Sequence, residues 1–143
     1  GAPPHGARTD FPLEAALGLQ EEMKGAFGSR EFQDALGALH WSTKDLKIAE
    51  RNRQYRDLLL EVQKAILPRH GFEGAPRGVQ AMLGVFQQLG YNDDPTVDAN
   101  TQALNVLLSM DVAGQNLAAR VAEEQAKNSP KPWEEVAWEV KRV

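Results

Sequence analysis

Apolar residues recur at helical spacing along nearly the whole chain, and this periodicity limits the possible folds more than any other feature. Residues three and four positions apart share one face of an α-helix, so the spacing predicts amphipathic helices. Strand signals are nearly absent, because β-branched clusters are few and no run alternates between apolar and polar residues. A chain of 143 residues is long enough to bury a core as a single domain. The sequence therefore predicts an all-α fold, built as a compact helical bundle.

Five helices are predicted to build the core domain, which spans residues 12–110. Ser29 has a suitable side chain to cap the second helix. The third and longest helix, at about 43–67, is predicted to begin at a capping box formed by Ser42 and Asp45. The apolar stripes of the third and fourth helices are expected to face the core. They comprise Ile48, Tyr55, Leu59, Val62 and Ile66 on the third helix and Val79, Met82, Leu83, Phe86 and Leu89 on the fourth.

The loop HGFEGAPRG, between the third and fourth helices, is predicted to turn the chain rather than to hold a ligand. Pro68 ends the third helix, and Gly71 supplies a left-handed residue beyond its C-terminus. Pro76 opens the fourth helix as a first-turn proline, and the pair Asp94-Pro95 opens the fifth helix in the same way. No strand precedes the glycines and the P-loop pattern is missing, so we do not expect a phosphate-binding loop.

Three segments lie outside this core domain. Residues 1–11 are rich in proline and glycine and are predicted to form an extended N-terminal tail. Residues 111–128 are alanine-rich and weakly amphipathic, so we expect a helix that depends on intrinsic propensity more than on packing. Residues 129–143 combine a linker with a short amphipathic helix, WEEVAWEVKRV.

Side chains that catalyse reactions or hold metal ions do not cluster in this sequence. The chain has no cysteine, and His5, His40 and His70 lack the spacing of a zinc site. The segment YNDDPTVDAN gathers three aspartates but lacks the glycine and the bidentate glutamate of a calcium loop. We therefore expect no catalytic residue, no cofactor and no metal, and a protein that is not an enzyme.

Charge and hydropathy argue against two kinds of partner. The net charge of −4 does not suit nucleic acid, which needs a basic face. No apolar run approaches the roughly 18 residues that span a bilayer, so the chain is not expected to cross a membrane. We expect an intracellular protein, either cytoplasmic or, after removal of a presequence, located in a plastid or mitochondrion. A cleaved presequence would also explain the first residue, Gly1.

The terminal helix is the strongest interaction signal in the sequence. Trp133 shares one face with three valines and an alanine, whereas Trp138 falls near the opposite side, beside Lys141 and Arg142. Tryptophan is enriched among interface hot spots, so these four residues are candidates for contact with a protein partner. The alternative is that Trp138 lies over a neighbouring loop of its own chain.

A second candidate surface is the basic beginning of the third helix. Lys44, Lys47 and Arg51 lie there within an otherwise acidic chain. One interpretation is a solvated surface in which acidic residues alternate with the basic ones. The other is a site for an acidic protein partner, recognised by electrostatic complementarity.

The segments LGLQEEMKGAFGSRE, LLLEVQKAILPRHGF and GVQAMLGVFQQLG occur in an order and at spacings that resemble the small eukaryotic protein C-ten family. The resemblance covers about residues 13–108. It implies a compact all-helical protein with no catalytic motif and no biochemical activity to carry over. Family members end in a Pro/Gly-rich tail, whereas this chain adds an Ala-rich helix and a Trp-bearing one. Residues 111–143 are therefore expected to be specific to this protein.

These observations lead to two hypotheses about function. The first is a non-enzymatic helical subunit or adaptor in a hetero-assembly of proteins. One form of it is an extrinsic subunit of an organellar membrane complex, such as a photosystem or a respiratory complex. The alternative is a carrier of small molecules or lipids, with an apolar pocket inside the bundle. Met23, Met82, Phe86 and Met110 are the residues that such a pocket would use. A closed core would favour the adaptor, and a pocket of several hundred Å³ would favour the carrier.

Overall fold

The computed structural model describes residues 10–128. Within this range the chain forms six α-helices and no strand, which confirms the predicted all-α helical bundle. Short 3-10 turns at Leu67–His70 and Tyr91–Asp93 follow the third and fourth helices. The helices are α1 (Leu13–Phe27), α2 (Arg30–Thr43), α3 (Ile48–Ile66), α4 (Pro76–Gln88), α5 (Pro95–Leu107) and α6 (Met110–Asn128).

Three helix ends follow the local chemistry that the sequence predicts. The Ser29 hydroxyl caps α2 by accepting a hydrogen bond of 3.1 Å from the backbone N–H of Phe32. Asp94 caps α5 by accepting hydrogen bonds from the N–H groups of Thr96 and Val97, at 2.9 and 3.1 Å. Gly71 has a φ of +82°, as predicted for the residue that ends the turn after α3. The glycine at position 71 is therefore explained by the left-handed backbone that ends this turn, not by ligand binding.

The core joins the chain before α1 to every helix that follows. Phe11 precedes α1 and is buried, with its ring edge-on to Phe72 at a centroid distance of 5.4 Å and 6.4 Å from Phe86. Phe86 confirms the prediction that it faces inward, whereas Leu59 is only half-buried at the edge of the core. The buried apolar residues are Phe11, Ala16, Leu19, Met23, Phe27, Phe32, Leu36, Ile66, Leu67, Phe72, Val85, Phe86, Val97 and Ala113.

The boundary between α2 and α3 differs from the predicted one. Ser42 is not the cap of α3, because it lies inside α2 and its hydroxyl donates to the carbonyl of Leu39 at 3.2 Å. α3 begins later, at Ile48, after Lys47, which provides no side-chain cap. Ile48 was predicted to face the core but is exposed, because it is the first residue of α3 and precedes the part of that helix that packs on the core. Leu83 of α4 was also predicted to face inward and is half-exposed instead.

α6 packs closely against α2, although its weak amphipathicity predicts little packing. Gly37 of α2 faces Ala113 of α6 so closely that a Cβ atom at position 37 would lie 2.6 Å from the Ala113 carbonyl oxygen. Further along the two helices, Arg120 of α6 makes an ion pair with Asp34 of α2. Later residues of α6 thus meet earlier residues of α2, so the helices run antiparallel. Small residues allow this close approach, and small residues give a weak amphipathic signal.

A buried amide network joins α1 to α5. Gln20 and Asn100 are both buried, and the Asn100 side chain donates to Gln20 at 3.0 Å. Lys24 donates to the side-chain amide oxygen of Asn100 at 2.9 Å, while the Gln20 side chain donates to the backbone carbonyl of Val97 at 3.3 Å. Because buried polar groups must find partners, this network fixes the register between the two helices.

Candidate binding surfaces

Three large apolar side chains are exposed where α2 ends and α3 begins. We define the α2–α3 corner as Trp41, Lys44, Leu46, Lys47 and Ile48. Trp41, Leu46 and Ile48 are 45%, 44% and 75% exposed. Trp41 lies in the last turn of α2, Leu46 in the connection and Ile48 at the start of α3, so exposed apolar side chains recur over eight residues of the chain. Exposed apolar surface of this kind often marks an interaction site. None of these three was predicted as a surface contact, and Ile48 was assigned to the core, although the run WSTKDLKI contains a signal. At helical spacing Leu46 does not share a face with Trp41 and Ile48, so one helix could not bury all three.

The Trp41 ring is held in one orientation by its surroundings. Its indole N–H donates to the carbonyl of Gly114 in α6 at 2.9 Å. The His40 ring meets it edge-on, with ring centroids 5.0 Å apart, and the Lys44 ammonium lies 5.3 Å from its ring centroid. Since the polar atom of Trp41 already has a partner, its exposed surface is mainly apolar. α6 therefore helps to form the corner, because its Gly114 carbonyl positions Trp41, the largest side chain of the corner.

Two of the three predicted basic residues belong to the corner. Lys44 and Lys47 are exposed, and neither makes an ion pair with another described residue. Arg51 is half-buried instead, and it donates to Nδ1 of His40 at 2.9 Å. Exposed Asp45 lies between the two lysines in the sequence and offsets part of their charge. Arg51 thus supports the α2–α3 packing, while the two lysines face solvent.

Farther along α3, the basic residue Arg53 is paired. Arg53 lies 2.5 Å from Glu50 and 3.2 Å from Asp57. Hydrogen bonds from Arg53 and then Gln54 lower the pKa of Glu50 to about 2. This part of the helix matches the interpretation of a solvated, charge-alternating surface.

A similar surface pair ties the turn after α3 to α1. Nε2 of His70 lies 2.5 Å from a Glu22 carboxylate oxygen, and Arg69 lies 3.3 Å from the other oxygen. The hydrogen bond to His70, followed by the Arg69 charge, lowers the pKa of Glu22. The contact gives His70 a structural role, since it joins the turn after α3 to α1.

A second surface is an open cleft of about 490 Å³ between α1, α4 and α5, which we call the α1–α4–α5 cleft. Leu19, Met23, Phe27 and Phe86 are buried residues that form its floor. Met23, Met82 and Phe86 were predicted for a ligand pocket and do line the cleft; Met110 does not. The lining contains no charged residue and consists of Leu19, Gln20, Met23, Phe27, Gln63, Val79, Met82, Leu83, Phe86, Gln87, Asn92, Thr101, Leu104, Asn105 and Leu108.

Four side-chain amides on the cleft are free to bind other groups. Gln63, Gln87, Asn92 and Asn105 line the cleft, and none of their side chains makes a hydrogen bond within residues 10–128. Each amide offers both a donor and an acceptor without a formal charge. The fifth amide, Gln20, is already occupied by the α1–α5 network. The cleft therefore joins an apolar floor to uncharged polar groups.

The other predicted partner residues, Trp133, Trp138, Lys141 and Arg142, lie outside the described residues, and their role stays a prediction. Among residues 10–128, no group of three or more His, Cys, Asp or Glu side chains is arranged to hold a metal ion. No helix within this same range is long and apolar enough to cross a membrane.

No protein-family model, curated protein or solved structure matches this chain. The resemblance to the protein C-ten family therefore stays a prediction, and the two surfaces are the basis for proposals about function.

Proposed function

We propose that this protein is a non-enzymatic helical interaction module, a subunit or adaptor that docks a protein partner on its α2–α3 corner. The observation that carries the proposal is the simultaneous exposure of Trp41, Leu46 and Ile48 beside two lysines. Water contact with large apolar side chains is unfavourable, and covering them with a partner removes that cost.

The rigidity of the corner supports a role in binding. Trp41 is fixed by its hydrogen bond to Gly114, so little side-chain freedom remains to be lost when a partner covers the ring. Tryptophan surrounded by other apolar contacts is a common hot spot of protein interfaces. Lys44 and Lys47 favour a partner whose surface combines apolar and acidic groups. We propose that this partner is a different chain, which would make the assembly a hetero-complex.

One form of this proposal is an extrinsic subunit of an organellar membrane complex, such as a photosystem or a respiratory complex. The corner suits a peripheral position, because it would contact the exposed part of such a complex without entering the bilayer. Nucleic acid is not the proposed partner, since the chain carries a net charge of −4.

The test compares two matched substitutions in the full chain, purified together with its partner. Ile48→Asp places a carboxylate in the corner, and Val106→Asp makes the same change at a residue that is also well exposed but lies on α5. We expect Ile48→Asp to weaken partner retention at least about tenfold, or about 1.4 kcal/mol, and Val106→Asp to leave it unchanged. Equal retention by both variants would refute the corner as the docking site.

A charge-reversal variant tests the chemistry of the partner. Lys44→Glu combined with Lys47→Glu keeps the apolar residues and reverses the charge of the corner. An acidic partner should bind this variant more weakly than the original chain. Its affinity for the original chain should also fall as salt is added, because salt screens the exposed lysine charges. Unchanged affinity would show that the partner surface is not acidic.

A carrier of small molecules is the second candidate function, and the α1–α4–α5 cleft favours it. Small-molecule sites occupy about 300–1,000 Å³ and combine apolar walls with a few polar groups. The cleft has this size and this lining. The two functions use different surfaces and are compatible in one protein.

A further inference from the structure

We infer that the α1–α4–α5 cleft binds a neutral, mainly apolar small molecule that carries a hydroxyl or carbonyl group. The inference names the ligand class for the carrier function, on which it rests, and it does not depend on the corner.

The absence of charge in the lining determines the first property of the ligand. A quarter of the residues in this chain are charged, yet none of the fifteen residues that line the cleft is. A carboxylate or phosphate entering the cleft would lose hydration without gaining a cation, which is costly. An ammonium group would likewise find no carboxylate. Neutral molecules avoid this cost.

The free amides determine the second property. Gln63, Gln87, Asn92 and Asn105 can each donate and accept a hydrogen bond. A hydroxyl or a carbonyl group on the ligand matches such amides, whereas a pure hydrocarbon would leave them unused. The amides would also orient a ligand whose apolar part rests on Met23 and Phe86.

The exposure of Leu83 supports the inference that a ligand covers the cleft. It is 52% exposed, although the helical periodicity predicts that it faces inward, and it lines the cleft. A bound apolar molecule would remove this side chain from water. Leu83 thus gives the cleft a substitution that reaches the ligand without disturbing the buried floor.

The volume favours a small molecule over a partner helix. A single turn of an α-helix with its side chains, about 10–12 Å wide and 5.4 Å long, fills roughly 400–600 Å³. The cleft, at about 490 Å³, would hold no more than about one such turn. A stable helix-in-groove interface needs anchors from several turns.

The experiment uses the full chain and the neutral dye Nile red, followed by its fluorescence. We expect one dye to bind per chain. Decanol should displace it, and decanoate, which has the same chain length and a carboxylate, should do so at least tenfold more weakly. Leu83→Asp should lower the dye affinity at least tenfold. Val121→Asp, a matched change at a residue of α6 that is 47% exposed, should not lower it.

The contrary outcomes are distinguishable. Failure of the chain to bind the dye would overturn both the carrier function and the ligand class. Equal displacement by decanol and decanoate would overturn the neutral class and leave a carrier. Equal effects of Leu83→Asp and Val121→Asp would place the dye outside the cleft. Displacement by a synthetic peptide of residues 129–143 would show that the chain's own terminal segment occupies the cleft.

Discussion

The α2–α3 corner and the α1–α4–α5 cleft are both apolar surfaces open to water, but they differ in shape and charge. The corner is exposed at the junction of two helices and carries Lys44 and Lys47, whereas the cleft is recessed and has no charged lining. An exposed apolar patch with charge suits a large partner of opposite charge. A recessed and uncharged one suits a small neutral molecule. Under the two proposals, this small bundle separates two kinds of recognition on different helices.

The largest effect is expected where the cleft and the core share a residue. Phe86 is buried and also forms the cleft floor, so Phe86→Ala should lower the free energy of unfolding by about 3–5 kcal/mol. Leu59→Ala should cost less, since Leu59 is only half-buried. Urea denaturation measures both. A loss below about 1 kcal/mol for Phe86→Ala would show that the cleft floor is not part of the core.

The next effect concerns a competing docking surface in the terminal segment. If Trp138 contacts the partner, Trp138→Ala should weaken complex formation by about 2 kcal/mol while leaving the melting temperature nearly unchanged. Calorimetric titration of the partner gives the first value and thermal unfolding gives the second. A large loss for Trp138→Ala together with none for Ile48→Asp would move the docking site from the corner to residues 129–143.

Two glycine substitutions test whether α6 supports the corner, because they are expected to change the free energy of unfolding in opposite directions. A Cβ atom at Gly37 would lie 2.6 Å from a backbone oxygen of α6, whereas a Cβ atom at Gly84 would meet nothing within 4 Å. Gly37→Ala should therefore destabilise by about 1 kcal/mol and loosen Trp41. Gly84→Ala should stabilise by about 0.5–1 kcal/mol through helix propensity. Denaturation curves measure both changes in stability, and Trp fluorescence reports the loosening of Trp41. Changes in stability of the same sign for the two variants would contradict the close α2–α6 packing.

Salt should affect binding at the corner and binding in the cleft differently. Raising the salt concentration from about 0.1 M to about 1 M shortens the screening length from about 10 Å to about 3 Å. Binding of an acidic partner at the corner should weaken severalfold, because its charges are exposed. Binding of Nile red in the cleft should not weaken, since no charge is involved. Parallel titrations would show the contrast, and a salt-sensitive dye affinity would contradict the uncharged cleft.

The smallest effect concerns Glu50, close to the corner. Its folded-state pKa of about 2 lies below the ordinary value of 4.5, so the ionised carboxylate favours the folded state. That contribution is present above pH 4.5 and is lost as the pH falls toward about 2. Glu50→Gln should lower the melting temperature slightly at neutral pH, and the difference from the original chain should shrink below pH 4.5. A difference that grows on acidification would contradict the Arg53 pairing.

The helices and several of their ends could be predicted from the sequence because they depend on nearby residues. Ser29, Gly71 and Asp94 act on backbone groups within a few positions of themselves. The capping box at Ser42 failed because α2 continues through this residue. Thr43 is buried at the end of that helix, with its hydroxyl donating to Leu39, so packing rather than the cap signal sets the boundary.

The two surfaces were only partly predictable, because each depends on distances between helices. Met23, Met82 and Phe86 were identified for a pocket from their apolar character, but the amides around them gave no helical signal. Exposure of Ile48 and Leu83 contradicts the inward orientation that periodicity assigns to both. A helical stripe shows which residues share a face, but not whether another helix covers that face. The close α2–α6 packing was missed for the same reason, since glycine and alanine contribute little to a stripe.

We propose above all that the α2–α3 corner is covered in the native assembly. Oxidative footprinting of the chain, alone and in its purified complex, measures this directly through the reactivity of individual side chains. We predict that Trp41, Leu46 and Ile48 lose most of their reactivity in the complex, while Val106 and Val121 keep theirs. Unchanged reactivity of the three corner residues in the complex would contradict the account.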